Sequence, residues 1–350
     1  MYKFIEKNDN HTREQGSEQV PKNEERSNRL GLQEKELWRD KPIWRKMSSF
    51  AIRFAVSLAL VVWIFKSVDL TAFEQVAVSP NLVPMLAMIG FSLLFVFLGS
   101  VKLWVLFKGF SHINRWLFTG YFFLAGSVGS LAPAILGDLT LIGLAQRSKI
   151  TFHESLSALL MDRLITLMTS LFIFTPFTLV FVLPLRSLYV LMLTLLSAIL
   201  LGGLIWITVL FAPALFDRFL ITRRFWGSFS LYFTRYRTNL YSNVFISILR
   251  GIVSGIALIF ALMTTHLTPP FFPTLCITNS LSLITYIPIS LSGLGLYEGG
   301  GLILFESIGL NREQVVAGLF YQRLYIILWA LLTITVWGIV TLIKRFQKRS

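Results

Sequence analysis

TFHESLSALLMDRL, residues 151–164, and NREQVVAGLFYQRL, residues 311–324, follow one pattern. Each opens with a capping-box signature, a cap residue followed three positions later by Glu or Gln: Thr151 with Glu154, and Asn311 with Gln314. Each then runs apolar into a stretch long enough to be a membrane helix and carries an arginine at the same offset, Arg163 and Arg323, 160 residues apart. Upstream of each lies an apolar region broken by proline and glycine that holds one acid, Asp138 in the first and Glu298 in the second. A chance likeness between two capped apolar helices is the plain alternative to an internal repeat.

Working outward, six runs have the roughly 20 apolar residues that a bilayer crossing needs: 50–66, 81–107, 155–183, 187–211, 243–264 and 315–343. Regions 117–145 and 271–309 are apolar but interrupted, the first at Pro133 and Gly137, the second at Pro288, Gly293 and Gly295. The expected fold is therefore an all-α polytopic membrane protein with eight hydrophobic segments. Six are full transmembrane helices and two are re-entrant hairpins.

Basic residues set the expected orientation. The polar leader 1–49 holds 11 Lys/Arg and reads as a cytosolic tail with an interfacial end. The loop 212–242 and the terminal Lys344, Arg345, Lys348 and Arg349 add further inside markers. Parity then requires each broken region to enter and leave on one face, and the two open to opposite faces. The two repeat cores, 117–183 and 271–343, thus have opposite orientation. Such inverted repeats are characteristic of transporters, with the site at the repeat interface. The arginines of 212–242 alternate with Phe225, Trp226, Phe229 and Phe233, a pattern expected for an interfacial helix on the anionic leaflet.

Composition excludes much else. With 55% hydrophobic and 14% charged residues, the chain is too apolar for a soluble enzyme. The net charge of +14 lies mostly in the membrane part, which points to anionic lipid headgroups as partners and not to nucleic acid. Cys276 is the sole cysteine and the four histidines are scattered, so no disulfide, metal centre or other cofactor is expected.

Ionisable residues inside spans are functional candidates by default. Arg163 and Arg323 lie about 12–18 Å into their helices, too deep to snorkel easily. Asp138, Asp162, Glu298 and the two arginines are the candidate substrate path. Asp138–Arg163 and Glu298–Arg323 could equally be structural ion pairs that lock each hairpin to its helix, and the two readings are compatible. Lys102 and Arg250, nearer to span ends, are expected to snorkel or anchor headgroups.

The segments PAILGD (133–138), DRL (162–164), PISLSGLGLYE (288–298) and YQR (321–323), together with Gly309, resemble the membrane region of lysylphosphatidylglycerol synthases over residues 50–345. The resemblance implies a flippase-like domain of a bacterial cytoplasmic membrane that moves an anionic or aminoacylated lipid between leaflets. Too few residues follow the last span for the transferase domain of the fused relatives, so synthase activity is not expected. Two other roles stay open: a non-transporting partner of a separate lipid-synthesis enzyme, and a membrane-embedded lipid transferase. Leu139-Thr140-Leu141 stands where this family often has an arginine after its Gly-Asp, which leaves the lipid class open.

Overall fold

In the computed structural model the described residues are 43–182, 220–284, 290 and 293–347, with isolated helical positions between 189 and 203. Most of the expected tail 1–49, most of the expected span 187–211, and Pro288 lie outside them. Residues 1–54 and 55–350 form separate units. No strand occurs among the described residues.

Among the described residues four helices are long and apolar enough to cross a bilayer: Leu82–Phe107 (α3), Phe152–Val182 (α6), Arg237–Met263 (α8) and Arg312–Ile343, the greater part of Arg312–Gln347 (α11). These correspond to four of the six expected spans. The first expected span differs. Helix Ile43–Lys66 (α1) begins seven residues before the expected start, and it turns by 94° into a second helix, Leu70–Val78 (α2). The turn is set locally, because Asp69 caps α2 by accepting the Thr71 N–H at 2.9 Å. The stretch between the first two expected spans is thus largely helical.

Both broken regions form helix pairs. In the first, Arg115–Leu131 (α4) and Ala134–Gln146 (α5) are joined at Pro133, whose missing N–H suits the start of a helix. The pair closes so tightly that a Cβ on Gly137 would lie 2.6 Å from the Ala125 carbonyl and 2.9 Å from the Gly129 Cα. In the second, Phe271–Ile284 (α9) and Leu296–Ser307 (α10) flank a break where Gly293 and Gly295 take φ of 76° and 83°. The left-handed region that glycine adopts without penalty is what lets this chain reverse. At 12 to 17 residues these helices are each shorter than the roughly 20 residues of a full crossing.

Helices α3 and α8 form the central pair and run antiparallel. Asn81 N–H reaches the Thr264 carbonyl at one end, and Asn243 Nδ2 reaches the Lys102 carbonyl at the other. An apolar cluster sits at each end of this pair. One joins Leu103, Leu106 and Phe107 to Phe118, Leu141 and Ala158; the other joins Met88 and Leu258 to Ile277, Leu302 and Leu319. The two hairpins pack across the molecule. Phe123 of the first meets Trp329 of α11 edge-on, while Ser280 of the second hydrogen-bonds Thr178 of α6 at 2.8 Å.

Helix α6 contains one π turn, Ser170–Phe174, just before Pro176. Proline cannot donate to the carbonyl four residues back, and the helix absorbs that lost bond by widening one turn, where Thr175 N–H bonds the Ser170 carbonyl.

Helix Leu220–Thr234 (α7) corrects a second expectation. Its aromatic face is turned onto the protein rather than onto lipid: Phe229 and Tyr232 are buried, with Phe225, Trp226 and Phe233 packed around them. Tyr232 also donates its hydroxyl to the Leu106 carbonyl at 3.1 Å.

Candidate functional site

Between α3, α4, α6, α8, α9, α10 and α11 lies a cavity of about 420 Å³. Arg163, Arg250, Arg323 and Glu298 all reach its wall, among aromatic side chains such as Phe95, Phe122 and Trp329. Serine and threonine hydroxyls from most of the surrounding helices complete the lining. The cavity wall is therefore largely apolar but carries a net positive charge within a body of apolar helices, where ionised groups are costly.

The two arginines of the repeated pattern are held alike. Arg163 Nη2 donates to Asp138 Oδ1 at 2.8 Å, and Arg323 Nε donates to Glu298 Oε1 at 2.7 Å. Both pairs span 25 residues of sequence, so each hairpin is tied to the long helix that follows it. Their surroundings differ. The side chains of Arg163 and Asp138 are 46% and 35% exposed, those of Arg323 and Glu298 only 19% and 16%. Glu298 has a second bond, since its Oε2 accepts the Gly295 N–H at 2.7 Å and caps α10.

The capping boxes differ as well. Thr151 and Glu154 form the reciprocal pair on α6. At α11 only half forms: Asn311 accepts the Gln314 N–H, while the Gln314 side chain donates instead to the Thr265 carbonyl at 2.8 Å.

Asp162 is not on the cavity wall. It lies behind it, 3.1 Å from Lys102 Nζ, and its Oδ1 also accepts from Asn243 Nδ2 at 3.0 Å. Lys102, expected to snorkel, is 2% exposed and also donates to Thr166 Oγ1 at 2.5 Å. Five residues separate it from the end of α3, but α6 and α8 enclose it from both sides, and sequence position alone gives no sign of that.

Arg250 is likewise no headgroup anchor at a span end. Its Nε lies 3.3 Å from the Phe95 carbonyl, and its guanidinium stacks 3.8 Å from the Phe95 ring centroid. Space for it exists because Gly99 lacks a side chain, since a Cβ there would sit 3.1 Å from Arg250 Nε.

Pro133 and Gly137 serve the hairpin turn and are not among the lining residues. Among the described residues no group of three or more His, Cys, Asp or Glu side chains could hold a metal ion.

No curated protein and no solved structure matches the chain. Residues 50–342, nearly the whole of the helical body with its cavity and both hairpins, match the family described as lysylphosphatidylglycerol synthase TM region. The chain is a multi-pass membrane protein that belongs to that family.

Proposed function

We propose that this protein moves a lipid with a charged headgroup between bilayer leaflets. Family membership supports a role connected with membrane lipids. The step to translocation rests on one observation: three arginines and Glu298 line a single cavity inside apolar helices. The headgroup would pass through this cavity while the acyl chains stay in the bilayer. Arginine suits the task because its planar guanidinium binds phosphate oxygens in pairs.

An inverted repeat fits the arrangement of helices. The antiparallel course of α3 and α8, each leading into a hairpin and a long helix, is what two oppositely inserted halves would give. Equal spacing of the two charge pairs supports the same reading. The proposed setting is a bacterial cytoplasmic membrane with both termini in the cytoplasm, on the basis of the basic loops.

The directness of the two ion pairs also favours a second reading. At 2.7 and 2.8 Å each arginine already has a carboxylate partner. A non-transporting partner of a lipid-synthesis enzyme would need such pairs only to fix its hairpins.

Reconstituted liposomes separate the two readings. Fluorescent phosphatidylglycerol, lysyl-phosphatidylglycerol and a neutral lipid are followed with the unsubstituted protein and with Glu298→Gln and Arg323→Leu. Flipping of one headgroup class that both substitutions abolish supports transport. No flipping of any lipid by folded protein supports the partner role.

A further inference from the structure

Asn279 of α9 lies on the cavity wall and is 6% exposed. Its Nδ2 donates to the Gly251 carbonyl of α8 at 2.9 Å and to the Leu275 carbonyl at 2.8 Å. Only the amide nitrogen can meet two carbonyls, so both of its hydrogens are used and the oxygen is held on the other side. Among the described residues Oδ1 accepts no hydrogen bond, and it is not sealed off from the cavity. Glycine at position 251 leaves it room, since a Cβ there would lie 2.7 Å from Oδ1.

Neighbouring hydroxyls are disposed the same way. Thr166, Thr169, Thr278 and Ser282 each give their one hydrogen to a backbone carbonyl of the preceding turn, at 2.6 or 2.8 Å. What they offer the cavity is lone pairs. The strong donors in the wall are Arg163, Arg250 and Arg323. The wall thus presents guanidinium donors together with fixed neutral acceptors.

We propose that the cavity selects a phosphodiester lipid whose headgroup ends in a polyol, and that Asn279 is the residue that reads its hydroxyls. The inference rests on the reading of the cavity as the headgroup's site. A phosphate takes donors from arginine, but it has no hydrogen to give to Asn279. The rest of the headgroup must supply that hydrogen. Arg250 and Gly251 are consecutive in α8 and both line the cavity, so a phosphate on Arg250 leaves the next headgroup atoms close to the amide that Gly251 anchors.

A hydroxyl fits these acceptors better than an ammonium. Three arginines face one carboxylate, Glu298, which already accepts from Arg323 and from the Gly295 N–H. The net positive wall repels a cationic amine, whereas a hydroxyl donates without adding charge. Fixed acceptors also discriminate, because a headgroup of the same charge without hydroxyls leaves Asn279 Oδ1 buried and unmatched.

Equilibrium binding to the full chain in nonionic detergent, read by calorimetry, tests this with three short-chain lipids. These are phosphatidylglycerol; phosphatidylpropanol, which has the same charge and carbon chain but no hydroxyl; and lysyl-phosphatidylglycerol, which adds ammonium groups. The unsubstituted protein should bind phosphatidylglycerol about tenfold more tightly than phosphatidylpropanol, the order expected for one buried acceptor left unpaired. Lysyl-phosphatidylglycerol should bind more weakly than phosphatidylglycerol. Asn279→Leu should bring phosphatidylglycerol down to the affinity of phosphatidylpropanol. Asn279→Asp, which keeps an oxygen acceptor at that position, should keep the preference. Damage to the fold lowers all affinities together, so the ratio separates recognition from a structural role.

Equal affinities for phosphatidylglycerol and phosphatidylpropanol in the unsubstituted protein, or tightest binding of lysyl-phosphatidylglycerol, overturn the polyol assignment. A preference that survives Asn279→Leu overturns the role of Asn279. Binding is read without translocation, so the preference without any flipping in liposomes overturns transport and leaves the headgroup assignment standing. Flipping without the preference does the reverse.

Discussion

Gly137→Ala should loosen the first hairpin, and its effect can be separated from helix propensity. The added Cβ would lie 2.6 Å from the Ala125 carbonyl, 2.9 Å from Gly129 Cα and 3.1 Å from Gly129 N. All three are backbone atoms, so no side-chain rotation relieves the contact and α4 must move away from α5. Carbon atoms pack best at about 3.5–4 Å, and overpacking by one methyl group costs about 1–3 kcal/mol. Alanine also gains about 1 kcal/mol over glycine within a helix. Gly143→Ala, on the same helix, is the control: it receives the same gain, and nothing lies within 4 Å of its new Cβ. Propensity therefore cancels between the two variants, and the difference isolates the close approach. Unfolding in mixed micelles, followed by tryptophan fluorescence, should place Gly137→Ala about 1–3 kcal/mol below Gly143→Ala. Equal stabilities would mean that the two helices do not meet at Gly129 and Gly137, and the hairpin as described would be wrong.

Other effects follow from the same contacts. A double-mutant cycle should give a smaller coupling for Arg163–Asp138 than for the more enclosed Arg323–Glu298, both within the roughly 0.5–3 kcal/mol of contacting residues; equal values would contradict the difference in burial. Tyr232→Phe removes only the hydroxyl bond to Leu106 and should cost about 0.5–1.5 kcal/mol. Tyr232→Ala, which empties a fully buried site, should cost about 3–5 kcal/mol; a small loss with Ala would return α7 to the bilayer surface. Gly309→Ala meets no atoms at φ +84° and should cost about 1–2 kcal/mol from backbone strain alone. Gly295→Ala carries the same strain plus a Cβ 2.6 Å from Leu60 Cβ, so its loss should be clearly larger in the same unfolding assay.

Those parts of the fold that depend on local pattern could be read from sequence. Pro133 and the Gly293–Gly295 pair announce their breaks because they restrict or free the backbone of their own residues. The ion pairs were legible as candidates because the same spacing occurs twice. The bend at Asp69 is not legible in sequence, although Asp69 followed by Thr71 is a cap signal, because the run of apolar residues from Leu70 reads equally as a loop at the membrane surface. Lys102 and Arg250 depart from expectation for another reason. Position along a helix measures depth, whereas enclosure depends on which helices come alongside, and α6 and α8 are remote in sequence from α3. The cavity hydroxyls give no sequence signal, since membrane-helix serines and threonines commonly satisfy themselves on the preceding turn, as Thr166 does with the Asp162 carbonyl at 2.8 Å.

The double hold on Glu298 has a consequence for how the two halves let go of a ligand. If Arg323 leaves for another anion, Glu298 still accepts from Gly295 and stays in its rotamer. Asp138, whose single partner among the described residues is Arg163, regains torsional freedom whenever that arginine departs. Re-forming the first pair must then freeze a side chain again, at an entropic cost for the short Asp138 below the roughly 1.5–2 kcal/mol of long polar side chains. The second half has a preorganised carboxylate waiting in position, and the first does not. Exchange of partners is thus entropically favoured to reset at Glu298, which gives two similar half-sites unequal grips.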